Sequence, residues 1–108
     1  MLMIRAIIRP DKKDAVLLEL SKAGFYASTV VDVFGRGKQK GIKIGDVVYD
    51  EIPKVMIMMA VRDEDKEDII SLILRVAKTG QKGAFGDGKI LVSPVEEVYT
   101  VSSAATGL

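Results

Sequence analysis

"VMIMMAVRDEDKEDIISLILRVAKTG", residues 55–80, decides the fold. Its first seven residues are apolar throughout and too short for a buried helix, so Val55 to Val61 reads as a strand. The acids that follow open a helix whose stripe carries Ile69, Ile73, Val76 and Ala77, with Gly80 at its close. Working outward, the N-terminal part repeats the plan. "MLMIRAII" is apolar except for Arg5, and "RPDKKDAVLLELSKAG" sets Val16, Leu20 and Ala23 at helical spacing between Pro10 and Gly24. The acids Asp11 and Asp14, and Asp63, Glu64 and Asp65, suit N-terminal capping of the two helices.

"YASTVVDVFG" alternates, with Thr29, Val31 and Val33 on one side, and "KILVSPV" supplies a fourth strand. "EEVYTV", from Glu96 to Val101, adds a short edge. Two βαβ units give an α+β sandwich of ferredoxin-like arrangement, an antiparallel sheet with two helices on one face. The other face has no helices, and because Val55 to Val61 shows no polar alternation it should be apolar too. Such a face calls for a partner, and a symmetric homo-oligomer is the expected solution.

Composition narrows the function. The 108 residues fit one domain, 1–108, and 48% hydrophobic with 29% charged residues describes a globular chain with a rich core. A net charge of +1 implies no nucleic acid. Absence of Cys and His removes disulfides, thiol and imidazole chemistry and the usual zinc sites. Met1 to Ile8 does not read as a signal peptide, and no stretch approaches the ~20 apolar residues of a membrane span, so the expected location is cytoplasmic, without membrane insertion.

Two segments interrupt the strand and helix rhythm. Phe34 to Pro53 is far longer than the ~4–6 residues typical of connections. Its first half holds Arg36, Lys38, Lys40 and Lys43 against no acid, and its second half holds Asp46, Asp50 and Glu51. The second segment, "TGQKGAFGDGK" (Thr79 to Lys89), sets four glycines and two lysines before the last strand. Glycines let backbone N–H groups converge on an anion, and lysine neutralises phosphate. The segment lacks the spacing of a Walker loop, and taken alone it also suits a tight turn. Two basic, glycine-rich loops in one small domain favour a phosphate-rich ligand between them.

At this point the chain resembles the PII signal-transduction proteins. The match runs from Met1 to about Val95 and is carried by "FGRGKQKG", "IPK" (Ile52 to Lys54) and "TG" followed by "GDGKI" (Gly86 to Ile90). "DVFGRGKQKGIKIGDVVYDEIPK" and "SPVEEVYT" look most like the nitrogenase-associated branch of methanogens and anaerobes. The resemblance implies a homotrimer whose bare sheet faces line the centre, with ATP or ADP bound between subunits. It implies a T-loop at about 35–54 and a B-loop at about 79–89.

Carried over residue by residue, Gly86, Asp87, Gly88 and Lys89 would cradle phosphates, and Ile7 and Thr29 would flank the adenine. Gly35 and Gly37 would admit the nucleotide, beside Arg36 and Lys38. Gln39 would ligate Mg²⁺ shared by ATP and 2-oxoglutarate, and Lys54 would pair with a carboxylate of that acid. Mg²⁺ takes such hard oxygen ligands, and a ligand bridging ATP and the loop base would favour one loop state over another.

Three features depart from the bacterial pattern. Val47 stands where the modified tyrosine would, with Tyr49 nearby. Gln81 to Phe85 is longer than the bacterial loop. Thr100, Ser102 and Ser103 stand where the family brings arginines to the phosphates, a loss of contacts each worth roughly 1.5–3 kcal/mol; Lys82 and Arg36 are candidate substitutes.

Bland readings stand beside the sharp ones: Met56, Met58 and Met59 suit packing, the acids 63–68 suit capping and solvation, and Lys40 and Lys43 suit a solvated loop. The reading is a regulator, not an enzyme, that senses ATP, ADP and 2-oxoglutarate and binds a nitrogenase component protein, with a paralogous PII subunit as a possible co-assembler. The alternatives are a PII regulator of an ammonium transporter or glutamine synthetase, and a phosphoryl-transfer enzyme using carboxylate and lysine chemistry between subunits. RNA binding finds no paired aromatics of the kind an RRM presents.

Overall fold

The computed structural model describes residues 1–36, 42–44, 47–49 and 51–108, the segments 42–44 and 47–49 by their backbone alone. Among the described residues, six strands and two α-helices follow in the order β1 (Leu2–Ile8), α1 (Lys13–Lys22), β2 (Thr29–Gly35), β3 (Ile42–Ile44), β4 (Val47–Tyr49), β5 (Ile52–Val61), α2 (Lys66–Ala77) and β6 (Gly88–Pro94). Four strands form an antiparallel sheet in the order β2-β5-β1-β6, and β3 and β4 pair separately as a small antiparallel ribbon. With both helices packed on one face of the sheet, this is the ferredoxin-like architecture that the repeated βαβ pattern predicts.

Period-two burial fixes which way each strand faces. In β1, Ile4, Ala6 and Ile8 point into the core, and in β5 Val55, Ile57, Met59 and Val61 do the same. Val16 and Leu20 of α1 and Ile69, Leu72, Ile73 and Ala77 of α2 close over them. Within α2, Leu72 is the core residue absent from the predicted stripe, whereas Val76 is only partly buried. Ala23, placed on the α1 stripe by its spacing, is exposed because it stands at the helix end.

The helix ends differ from the sequence reading in two respects. Neither helix has a side-chain cap; each grows out of one 3-10 turn, Pro10–Lys12 or Asp63–Asp65, closed by the amides of Lys12 and Asp65 donating to the carbonyls of Arg9 and Arg62. The acids find other partners, Asp63 accepting the N-terminal amine of Met1 at 3.0 Å and Asp65 accepting Arg62 at 3.3 Å. At the far end of α1 the Phe25 and Gly24 amides donate to the Leu20 and Ser21 carbonyls, a Schellman closure with Gly24 at φ +91°. α2 stops earlier than its glycine suggests: Lys78 turns extended directly after Ala77, and Gly80 belongs to the next turn.

The ladder between β2 and β5 runs on to Gly35↔Ile52, so β5 begins at Ile52 rather than Val55. Extension is tolerated at Pro53, opposite Phe34, because β5 is near its end there and a missing N–H removes little. The segment Glu96–Val101 does not add an edge strand. After Val95 donates to the Met1 carbonyl at 3.0 Å, the chain folds on itself through a Tyr99↔Thr106 bridge and a Gly107 amide donating to the Val98 carbonyl.

The helix-free face carries rows set by the register: Lys89, Ile7, Met56 and Val31; Leu91, Arg5, Met58 and Thr29; Ser93, Met3 and Ala60. It is mostly apolar, as expected. Arg5 stands in its middle, donating to the Ser93 hydroxyl at 3.3 Å.

Candidate ligand site

Three parts of the chain far apart in sequence meet at one end of the sheet. The chain leaving β1 brings Arg9, the start of β5 brings Lys54, and the segment joining α2 to β6 folds back between them. Gly88 shows how tight that return is. It sits at φ +118°, and a Cβ there would stand 1.8 Å from the Ile7 carbonyl oxygen, so only glycine can open β6 against β1.

The segment is organised around Asp87. One carboxylate oxygen accepts the Thr79 hydroxyl at 2.6 Å and the Arg9 Nε–H at 3.0 Å, and the other accepts the amides of Ala84 at 2.9 Å and Thr79 at 3.0 Å. An ionised carboxylate has about four lone-pair positions, and here all are taken. The Thr79 hydroxyl first, then the Ala84 and Thr79 amides and Arg9, hold this carboxyl far below the usual carboxylate range.

Arg9 makes a second bond, its Nη2 donating to the Phe85 carbonyl at 2.7 Å, while Lys54 Nζ donates to the Gly86 carbonyl. Gly86, at φ +90°, has both cations on the side where a Cβ would project, with Arg9 Nη2 3.3 Å away and Lys54 Nζ 3.6 Å away. Burial first, then the Arg9 charge, pushes the Lys54 ammonium pKa down, partly offset by Asp87 and Asp11. The Lys54 stem runs beside Gly35, its Cγ lying 3.6 Å from where a Cβ of that glycine would be. Next to Gly35, Arg36 meets Glu51 at 3.5 Å across the root of the long loop, an exposed pair of small energetic value.

The structure therefore brings together Gly35, Arg36, Lys54, Gly86, Asp87 and Gly88 at one end of the sheet. Ile7 and Lys89 are directly paired neighbours on the helix-free face. Thr29 lies on that face but at the opposite end of β2 from Gly35, level with Arg5 and Met58. Gly37, Lys38 and Gln39 lie outside the described residues, as do the side chains of Lys43, Val47 and Tyr49. Thr100, Ser102 and Ser103 are exposed in the C-terminal turn.

Arg9 escaped the sequence reading. Its one signal was position, a cation immediately after a strand whose neighbour is entered through "GDGK". An apolar groove of about 130 Å³ lies between α2 and β6, lined by Ile8, Ile73, Leu74, Ala77 and Ile90 with Lys78, Asp87, Gly88 and Lys89 at its rim. It opens on the helix side of the sheet, away from Ile7 and Thr29. Arg9 and Lys54 fit a dianion by charge; Asp87, its lone pairs occupied, offers nothing to a metal ion.

Comparison with known proteins agrees with this architecture. The family described as "Nitrogen regulatory protein P-II" matches residues 1–105. A "Nitrogen fixation nifHD region glnB-like protein 1" of Methanococcus maripaludis is 53% identical over 108 residues, covering all of both chains. Its namesake from Methanobacterium ivanovii is 54% identical with the same coverage. "Nitrogen regulatory protein P-II 2" of Methanothermobacter thermautotrophicus is 40% identical over 96% of this chain and 91% of its own. The chain belongs to the nitrogen regulatory protein P-II family, whose members are signalling regulators rather than enzymes.

Proposed function

We propose that this protein senses ATP or ADP together with 2-oxoglutarate and regulates nitrogenase by binding one of its component proteins. The observation that carries the proposal is the pair of cations at Gly86. Lys54 faces a neutral carbonyl rather than an acid, so a carboxylate arriving beside it would gain a charge-assisted bond in exchange for a weaker one. Arg9 adds a second cation to the same spot. Burial and cationic crowding raise the energy of the charged Lys54 side chain, and an anion would relieve that.

Gly86 keeps the backbone bare beside the two cations where phosphates would lie and Gly88 lets that turn close against β1, with Lys89 as a further cation, and Ile7 and Thr29 offer an apolar and a hydroxyl surface on the helix-free face for the base. Gln39 would hold Mg²⁺, which would supply a hard Lewis-acid centre for oxygen ligands of the nucleotide and the keto acid. Lys54 is rooted next to Gly35, where the long loop leaves the sheet. Ligand capture there would favour one arrangement of the loop over another, the population shift that regulation of a target needs. The mostly apolar helix-free face supports a homotrimer with that face at its centre, and the nifHD-region names of the Methanococcus maripaludis and Methanobacterium ivanovii relatives favour nitrogenase as target.

Calorimetric titration of ATP with Mg²⁺ followed by 2-oxoglutarate, on the native chain and on Gln39→Ala and Lys54→Ala, tests the sensing. Coupled binding that loses 2-oxoglutarate in both variants is the expected result; nucleotide binding alone reduces the protein to an ATP/ADP sensor. Pull-down with nitrogenase component proteins tests the target.

A further inference from the structure

We propose that Asp87 is a positioning residue: its carboxylate fills the anion nest of the segment between α2 and β6 and thereby fixes Arg9 beside Lys54. The glycine-rich sequence suggests amides free to converge on phosphate, but the structure shows two of them, from Thr79 and Ala84, already converging on Asp87. The nest carries its own anion. A phosphate placed there would meet an occupied cradle and a like charge. The carboxylate holds the segment closed between Thr79 and Ala84 and accepts the Nε–H of Arg9, whose Nη2 is thereby aimed at the Phe85 carbonyl beside Gly86. Asp87 acts on a bound dianion through Arg9 and never touches it. Asparagine cannot substitute, because its NH₂ group would face hydrogen-bond donors.

This inference rests on the 2-oxoglutarate reading above, so its test includes a measurement that needs no ligand. Amide hydrogen exchange at Thr79 and Ala84 and the NMR signal of the Arg9 Nε–H are followed in the native chain and in Asp87→Ala, with and without sodium formate as a substitute carboxylate. Asp87→Ala is expected to lose protection at both amides and to shift the Arg9 signal, and formate to restore both. In parallel, 2-oxoglutarate affinity should fall about tenfold or more, the loss of one charge-assisted hydrogen bond, while ATP affinity changes much less. Recovery of 2-oxoglutarate binding with formate distinguishes positioning from a general loss of structure.

Unchanged exchange at Thr79 and Ala84 overturns the nest. Loss of ATP affinity equal to or greater than that for 2-oxoglutarate, without formate rescue, makes Asp87 a direct nucleotide contact and overturns the positioning role. Should Asp87→Ala not fold, Thr79→Val removes one of the four donors and is expected to give a smaller loss of the same kind; no change in exchange or in 2-oxoglutarate affinity then counts against the proposal. If the native chain binds neither ligand, the sensing function fails while the exchange data still decide the role of Asp87.

Discussion

Arg9 and Lys54 hold the carbonyls of two consecutive residues, Phe85 and Gly86, so a cation just past the end of β1 and another near the start of β5 clamp one peptide segment. Their closeness sets the chemistry of Lys54. Its pKa, lowered by burial and by Arg9, means that the folded chain releases this proton before the unfolded chain does. The unfolded state therefore holds more protons in the window between the depressed value and the ordinary ~10.4, and this group adds stability as pH rises through that window. Competitive acetylation should give Lys54 a titration midpoint below the ordinary ~10.4 of a lysine, and Arg9→Ala should raise it.

Asp87 gives the opposite dependence. Because its folded pKa lies below the unfolded ~3.9, its contribution is complete above the unfolded value and is lost as pH falls towards the folded one. Urea denaturation at pH 6 and pH 3 should show a larger loss of stability on acidification for the native chain than for Asp87→Asn, which has no proton to take up.

Gly88→Ala should be among the most damaging single substitutions outside the core. A Cβ at φ +118° with the Ile7 carbonyl oxygen 1.8 Å away forces the start of β6 off β1, and backbone strain plus lost ladder bonds predict at least about 3 kcal/mol. Gly80→Ala has open space around its Cβ and only a left-handed backbone to sustain, about 1–2 kcal/mol. Thermal melts of the two variants compare them directly.

Charge placed on the helix-free face should separate assembly from folding. Met58 lies in the middle of that face, between Arg5 and Thr29. Met58→Lys is expected to leave the monomer fold intact by circular dichroism and to shift sedimentation towards a smaller species. An unchanged assembly state would remove this face from the interface.

What the sequence revealed follows from how local each cause is. Periodicity in residues 55–80 reports the core because Ile57 and Ile73 are buried by the regular geometry of their own elements. Capping was misread: an acid near a helix start signals favourable charge, but whether its side chain reaches a backbone N–H depends on whether a 3-10 turn intervenes, as at Asp63–Asp65. The site was legible in its glycines and lysines and illegible in its wiring. Arg9 and Asp87 are linked across the sheet by register alone, and no spacing rule joins them. The acceptor-only nature of an ionised Asp was a usable signal that the Asp87 side chain would draw nearby donors to itself.

The Gly35↔Ile52 pair has a further consequence. The chain departs from the sheet and rejoins it at two residues held side by side, so the entropy of bringing those ends together is met by the β2–β5 ladder whatever lies between them. Doubling the intervening length would add only about 0.6 kcal/mol of closure entropy. The segment 36–51 can thus be treated as an interchangeable cassette: replacing it with one of different length and sequence should leave the thermal stability of the sheet nearly untouched.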